Sequence, residues 1–257
     1  MPKPFKSIDD QIDHLKTNKS IEFVDEKEAY QFLLNHNYYQ VVTCGKVKFA
    51  IDFKDGTHQY ERTQFKDWQS YFNVDKMVSA HLREIVLEIE RKINARLSYF
   101  LSELLESNEL TDSKRNTLMQ LIGGARKGYV GHETWAHIPK MTFGEMKKLL
   151  FWLNANEESV YLSVTEGYDF IRTRKAHRNR IRIDELNHLR NNVCHFRPLN
   201  VYLVYGQGKS QGLPYKDRKF VITAVCHENY NQKINELIKS FFIYSDNFVR
   251  IKNSQQR

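Results

Sequence analysis

Between positions 78 and 104 apolar side chains recur every three or four residues, as Val78, Leu82, Ile85, Val86, Ile89, Ile93, Leu97, Phe100, Leu101 and Leu104, with no glycine or proline among them. That spacing closes one face of an α-helix and excludes a strand, whose period is two. A helix beginning near Asp75 and carrying this stripe to its end would be about 45 Å long. A face of that length needs other helices to cover it, so the expected architecture is mainly α, a helical bundle with this segment as its spine.

The partners are legible as shorter stripes. A helix around residues 113–122 is cut by Gly123-Gly124, and Thr142-Phe143-Gly144-Glu145 is a capping box opening a helix through Met146, Leu149, Leu150 and Leu153. Ile183, Leu186, Leu189 and Val193 mark another, which must end before Pro198. Residues 231–244 read as a closing helix, and 201–205 and 220–225 as short strands. The N-terminal part reads as mixed. Ile8, Ile12 and Leu15 mark a helix, and Asp25-Glu26-Lys27-Glu28 caps another. Residues 38–42 and 47–51 look strand-like, followed by an Asp55-Gly56 turn. The expected organisation is a mixed α/β region over residues 1–70 packed on a helical domain over 71–257.

The chain has 257 residues and a net charge of +8, from 39 Lys+Arg against 31 Asp+Glu, so a polyanionic partner is a natural expectation. Its three cysteines, Cys44, Cys194 and Cys226, lie too far apart for a disulfide framework and suit a reducing, cytoplasmic setting. The longest apolar run, Leu149-Leu150-Phe151-Trp152-Leu153, is far too short for a bilayer, so no membrane step is expected.

Several apparent motifs fail on spacing. Gly208-Lys209-Ser210 lacks the leading glycine of a phosphate loop. His132 and His137 are five apart, which turns them ~140° from each other on a helix instead of onto one face. Cys226-His227 has no second pair at ligand spacing. Neither a metal nor an organic cofactor is expected.

Two features remain. Arg172, Arg174, Lys175, Arg178, Arg180 and Arg182 fall within eleven positions and form a candidate phosphate-contacting strip, since guanidinium forks bind phosphate bidentately. Just beyond, Arg190-Asn191-Asn192-Val193-Cys194-His195 places an arginine five positions before a histidine. That pair suits metal-independent RNA cleavage, in which His moves protons and Arg stabilises charge on the pentacoordinate phosphorus. Spacing alone does not single it out: about two Arg-x4–6-His matches would occur by chance, and the sequence holds four, with Arg126/His132, Arg172/His177 and Arg182/His188. Position does, because this pair ends a strongly periodic helix just before a proline.

Lys3-Pro4-Phe5 with Gln11 and Leu15, Asn37-Tyr38-Tyr39, Trp135 followed by Thr142-Phe143-Gly144, and Leu189-Arg190-Asn191-Asn192-Val193-Cys194-His195 with Arg197 and Asn200 occur in this order. Together they resemble the landmarks of the Abi family, the AbiD/AbiF-like abortive infection proteins of bacteria, which is similar to the HEPN superfamily. The resemblance implies a HEPN-like helical bundle and a homodimeric, metal-independent endoribonuclease in phage defence or in a toxin–antitoxin pair. It implies Arg190 and His195 as the catalytic pair and Asn191 as the polar residue beside them. Where many relatives carry an acidic residue before the Phe-Gly pair, this chain has Pro139 and Lys140, so no role for that carboxylate carries over. Glu90 and Asn94 of the long helix are candidates to line the same cleft. Two alternatives stay open: a non-catalytic scaffold holding a noncoding RNA as a ribonucleoprotein, and a DNA-binding regulator using the basic strip.

Overall fold

Capping residues divide the chain into helices. In the computed structural model, which describes residues 6–54, 57–107, 109–123, 134–206, 215–227 and 231–253, 81% of the described chain is helical, in 12 helices. In order these are α1 (Ile8–Lys19), strand β1 (Ile21–Glu22), α2 (Glu26–Asn35), α3 (Tyr38–Phe49), β2 (Ala50–Lys54), β3 (Thr57–Tyr60), β4 (Thr63–Gln64), α4 (Phe65–Glu106), α5 (Asp112–Gly123), α6 (Thr134–His137), α7 (Phe143–Asn156), α8 (Glu158–Val164), α9 (Ala176–Cys194), α10 (Leu199–Tyr205), α11 (Tyr215–His227) and α12 (Gln232–Asn253). β1 pairs with β4 in parallel, and β2 with β3 antiparallel, in a register that shifts between Ala50 and Asp52. The Asp55-Gly56 turn, Lys3-Pro4-Phe5, His132 and Gly208-Lys209-Ser210 lie outside the described residues.

The caps follow from side-chain chemistry. Ser7 with Asp10, and Thr142 with Glu145, form reciprocal capping boxes at α1 and α7. At α2 the Asp25 carboxylate accepts from the Glu28 N–H at 2.9 Å.

Four segments read as strands turn out helical, wholly or in part. Residues 38–42 and most of 47–51 lie in α3, because Asn37 Oδ1 accepts from the Tyr39 and Gln40 N–H groups and the helix buries Val41, Val42, Cys44, Gly45 and Val47. Only Ala50 and Ile51 continue into a strand. Gly45 is required there by close approach, since a Cβ at that position would overlap the Trp68 ring. Residues 201–205 lie in α10 and residues 220–225 in α11, which buries Arg218, Val221, Ile222, Val225 and Cys226 on one face. In each case burial of a face at helical spacing outweighs the strand preference of β-branched and aromatic residues.

Two helices also start earlier than the stripes suggested. α4 begins ten residues before Asp75, with Phe65, Trp68, Tyr71, Phe72 and Asp75 all buried. α9 begins at Ala176, so the second half of the basic strip is helical. Its start is held by Asn179, whose amide donates to the Thr173 carbonyl at 2.9 Å and accepts from the Thr173 N–H.

The chain divides into two compact units, Met1–Arg83, Asn192–Tyr215 and Tyr230–Arg257 in the first, and Glu84–Asn191 and Lys216–Asn229 in the second. The first is built around Leu15, Val41, Trp68, Tyr202, Phe241 and Phe248, all buried. The second buries Leu97 and Leu101 of α4, Leu118 of α5, Leu149 and Leu153 of α7, and Ile183, Leu186 and Leu189 of α9.

A carboxylate lies inside the first unit. Asp75 is 1% exposed. It accepts from the Leu199 N–H at 2.7 Å, the Asn200 N–H at 3.0 Å and Ser79 Oγ at 3.3 Å. It thereby caps α10, whose own Pro198 offers no capping side chain. Asn200 in turn donates to the Cys44 carbonyl at 3.0 Å, tying in α3.

Burial raises the Asp75 pKa from 3.8 to about 6, although the hydrogen bonds from Asn200, Leu199 and Ser79 pull it down. A folded-state value above the unfolded one means that this group's contribution is fully present below about pH 4 and is lost as pH rises toward 6. The shift corresponds to about 3 kcal/mol. The stability advantage of wild type over Asp75→Asn, from urea unfolding, should therefore shrink by roughly that amount between pH 4 and 6 and stay level above. A gap that is flat or grows with pH would contradict this assignment.

Candidate functional site

The second unit holds Arg190 in a fixed plane. On α9, Leu186 and Leu189 turn into the interior, which leaves Arg190 partly exposed at the helix flank. Its Nε donates to Glu90 Oε2 at 2.9 Å and its Nη2 to Oε1 at 3.3 Å, a bidentate pair with side chains 27% and 14% exposed. Nη1 donates to Asn191 Oδ1 at 3.3 Å. The structure therefore brings together Arg190, Asn191 and Glu90. Asn94, one turn along α4, instead donates to the Ile138 carbonyl at 3.2 Å and supports the segment before α7.

His195 belongs to the first unit and is the first residue beyond α9, exposed to solvent. The helix ends in a Schellman turn. The Arg197 N–H donates to the Asn192 carbonyl at 3.1 Å and the Phe196 N–H to the Val193 carbonyl at 3.4 Å, with Phe196 in the left-handed region at φ 54°. The buried Asn192 amide donates to the Arg197 carbonyl at 3.0 Å and closes the turn from inside. α-Helical geometry persists through Cys194, so the imidazole sits on the turn and not on the helix face that carries Arg190.

The basic strip divides in two. Arg172 pairs with Asp169 at 3.6 Å. Arg182 donates to the Phe170 carbonyl at 2.8 Å, and its guanidinium lies 4.1 Å from the Phe220 ring centroid. Burial lowers the Arg182 pKa, with Arg178 adding to the effect. Both residues thus serve the second unit's own packing. Arg174, Lys175, Arg178 and Arg180 are exposed, and Arg180 lies 4.9 Å from the Phe151 ring centroid. Four of the six cations are fully exposed, and Arg172 and Arg182 are half-buried.

Of the other motif residues, Cys226 is a packed thiol whose pKa burial pushes up to about 12. His188, the histidine of one rival Arg-x4–6-His match, sits 3.6 Å from the buried carboxylate of Glu185. Reasoning from sequence missed the Asp75 cap and the left-handed Phe196. The first has no local signal, whereas a helix stop at Phe-Arg-Pro was available for the second.

Among the described residues no group of three or more His, Cys, Asp or Glu is arranged to hold a metal ion, and no helix is long and apolar enough to cross a membrane. Comparison with protein-family models, curated proteins and solved structures finds no match.

A partly buried bidentate pair should couple measurably. A double-mutant cycle with Glu90→Ala and Arg190→Ala is expected to give ~1–3 kcal/mol of interaction in unfolding free energy. A coupling under ~0.3 kcal/mol would mean that the pair contributes no more than an exposed surface bridge.

Proposed function

We propose that this chain binds single-stranded RNA and cleaves it without a metal ion, as an abortive-infection protein with a HEPN-like helical core acting in phage defence or as the toxin of a toxin–antitoxin pair. The observation that carries the reading is the end of α9, where a guanidinium held in plane by Glu90 and Asn191 is followed by an imidazole exposed on the terminal turn. An oriented arginine suits the charge that builds on phosphorus, and an exposed histidine suits proton transfer. The exposed cations Arg174, Lys175, Arg178 and Arg180, before α9 and on its first turn, supply further phosphate contacts.

In this reading the 2′-oxygen bonds to its adjacent phosphorus as an imidazole takes the hydroxyl proton. The bond from phosphorus to the 5′-oxygen breaks, and that oxygen receives a proton from a second acid. The products are a 2′,3′-cyclic phosphate and a 5′-hydroxyl. One imidazole does not reach both sides of an in-line displacement. A homodimer with its two-fold axis near this turn supplies His195 from each chain.

One observation favours a second reading. Glu90 matches the charge of Arg190, as expected of a non-catalytic scaffold that holds a noncoding RNA through its exposed cations.

Cleavage of labelled RNA in excess chelator separates the two. His195→Ala should lower the rate ~100-fold or more with RNA affinity nearly unchanged. Cleavage that requires magnesium would overturn the mechanism, and intact RNA bound by wild type would favour the scaffold.

A further inference from the structure

The turn after α9 carries a side chain that ending a helix does not require. Phe196 stands at φ 54°, where glycine is the residue that fits and a bulky side chain is strained, yet its ring is 65% exposed and packs into no core. One neighbour is the Arg83 guanidinium, 5.1 Å from the ring centroid. The ring stands at a cavity of about 120 Å³ whose wall includes Phe72, Asp75, Lys76, Ala80, Arg197 and Pro198, all of the first unit.

Size, shape and polarity of this cavity limit what it holds. An apolar cavity of about 150 Å³ accepts benzene, so this one, partly open to solvent, is on the scale of a single six-membered ring and not of fused rings. Phe72 and Phe196 give it aromatic walls, and Lys76 and Arg197 add exposed cations. Asp75 lies in the wall, but Leu199, Asn200 and Ser79 already hold its buried carboxylate, so the polar groups at the mouth are the two cations. A flat ring attached to phosphates matches these features.

We propose that this cavity receives one pyrimidine base of single-stranded RNA, stacked on Phe196, with its phosphates toward Lys76, Arg197 and Arg83. The assignment rests on the RNA-binding reading above but not on cleavage. It gives the backbone strain at Phe196 a use, because the left-handed turn is what holds the ring at the cavity instead of in a core. Because His195 precedes Phe196 in the chain, a pyrimidine preference at the turn would become sequence preference in cleavage.

The test is fluorescence anisotropy with the full-length protein and labelled oligocytidylate, oligouridylate and oligoadenylate of equal length at fixed salt. Wild type should bind the pyrimidine strands at least ~5-fold more tightly than oligoadenylate. Phe196→Gly should lose about 5- to 150-fold on the pyrimidine strands, the range for one base stacked on an aromatic ring. It should keep the same salt dependence, since no charge is removed, and a melting temperature equal to or above wild type, since glycine fits the turn. Phe196→Tyr should restore affinity. Ala80→Leu, which fills the cavity and leaves Phe196 in place, should abolish the preference. Equal binding of all three strands, or a folded Phe196→Gly protein with wild-type affinity, would overturn the cavity assignment alone. Failure to bind any strand would overturn the RNA reading together with it.

Discussion

The carboxylate of Asp75, buried in the first unit and bonded to two backbone N–H groups 124 and 125 residues away in sequence, is the constraint on which the turn after α9 depends. Pro198 and Leu199 start α10 without a capping side chain of their own, and Asp75 supplies the missing acceptor from α4. With Asn200 bonded to the Cys44 carbonyl, polar contacts tie α3, α4 and α10 inside the first unit. Burying an ion is costly, and three donors offset the cost only in part, which is why burial still dominates the Asp75 pKa. The return is position: where α10 begins decides where the chain leaving α9 must turn.

That turn is short. α9 ends at Cys194 and α10 begins at Leu199, so residues 195–198 must leave the helix and satisfy the last carbonyls of α9 at once. The Schellman bonds and the Asn192 amide do both. They leave His195 and Phe196 exposed, with Phe196 lining a cavity of which Asp75 itself forms part. Structural support and candidate chemistry therefore share one carboxylate.

How much of this was legible in the sequence depends on how far apart the causes lie. The stripe of α4 and the capping box of α7 are local, and both read correctly. Residues 38–42 also had a local signal, the Asn37 cap, but a short β-branched and aromatic run is ambiguous between strand and helix. The face of α11 at 218, 221, 222, 225 and 226 was open to the same reading, with an arginine hiding its first position. α10 was not legible, because its cap comes from Asp75. At the site, Arg190 and His195 stood out by position before Pro198. The partner of Arg190 is 100 residues upstream, and spacing does not reveal that Arg172 and Arg182 are engaged within their own unit.

The central proposal is that RNA is bound at the exposed cations before α9 and on its first turn, and at the turn after it. Photocrosslinking of 4-thiouridine-containing RNA to the full-length protein, followed by mapping of the modified peptides, tests this most directly. The account expects adducts within residues 174–180 and 193–198, with Phe196 among the modified positions. Adducts confined to other segments, or none under conditions where the RNA is bound, would contradict it.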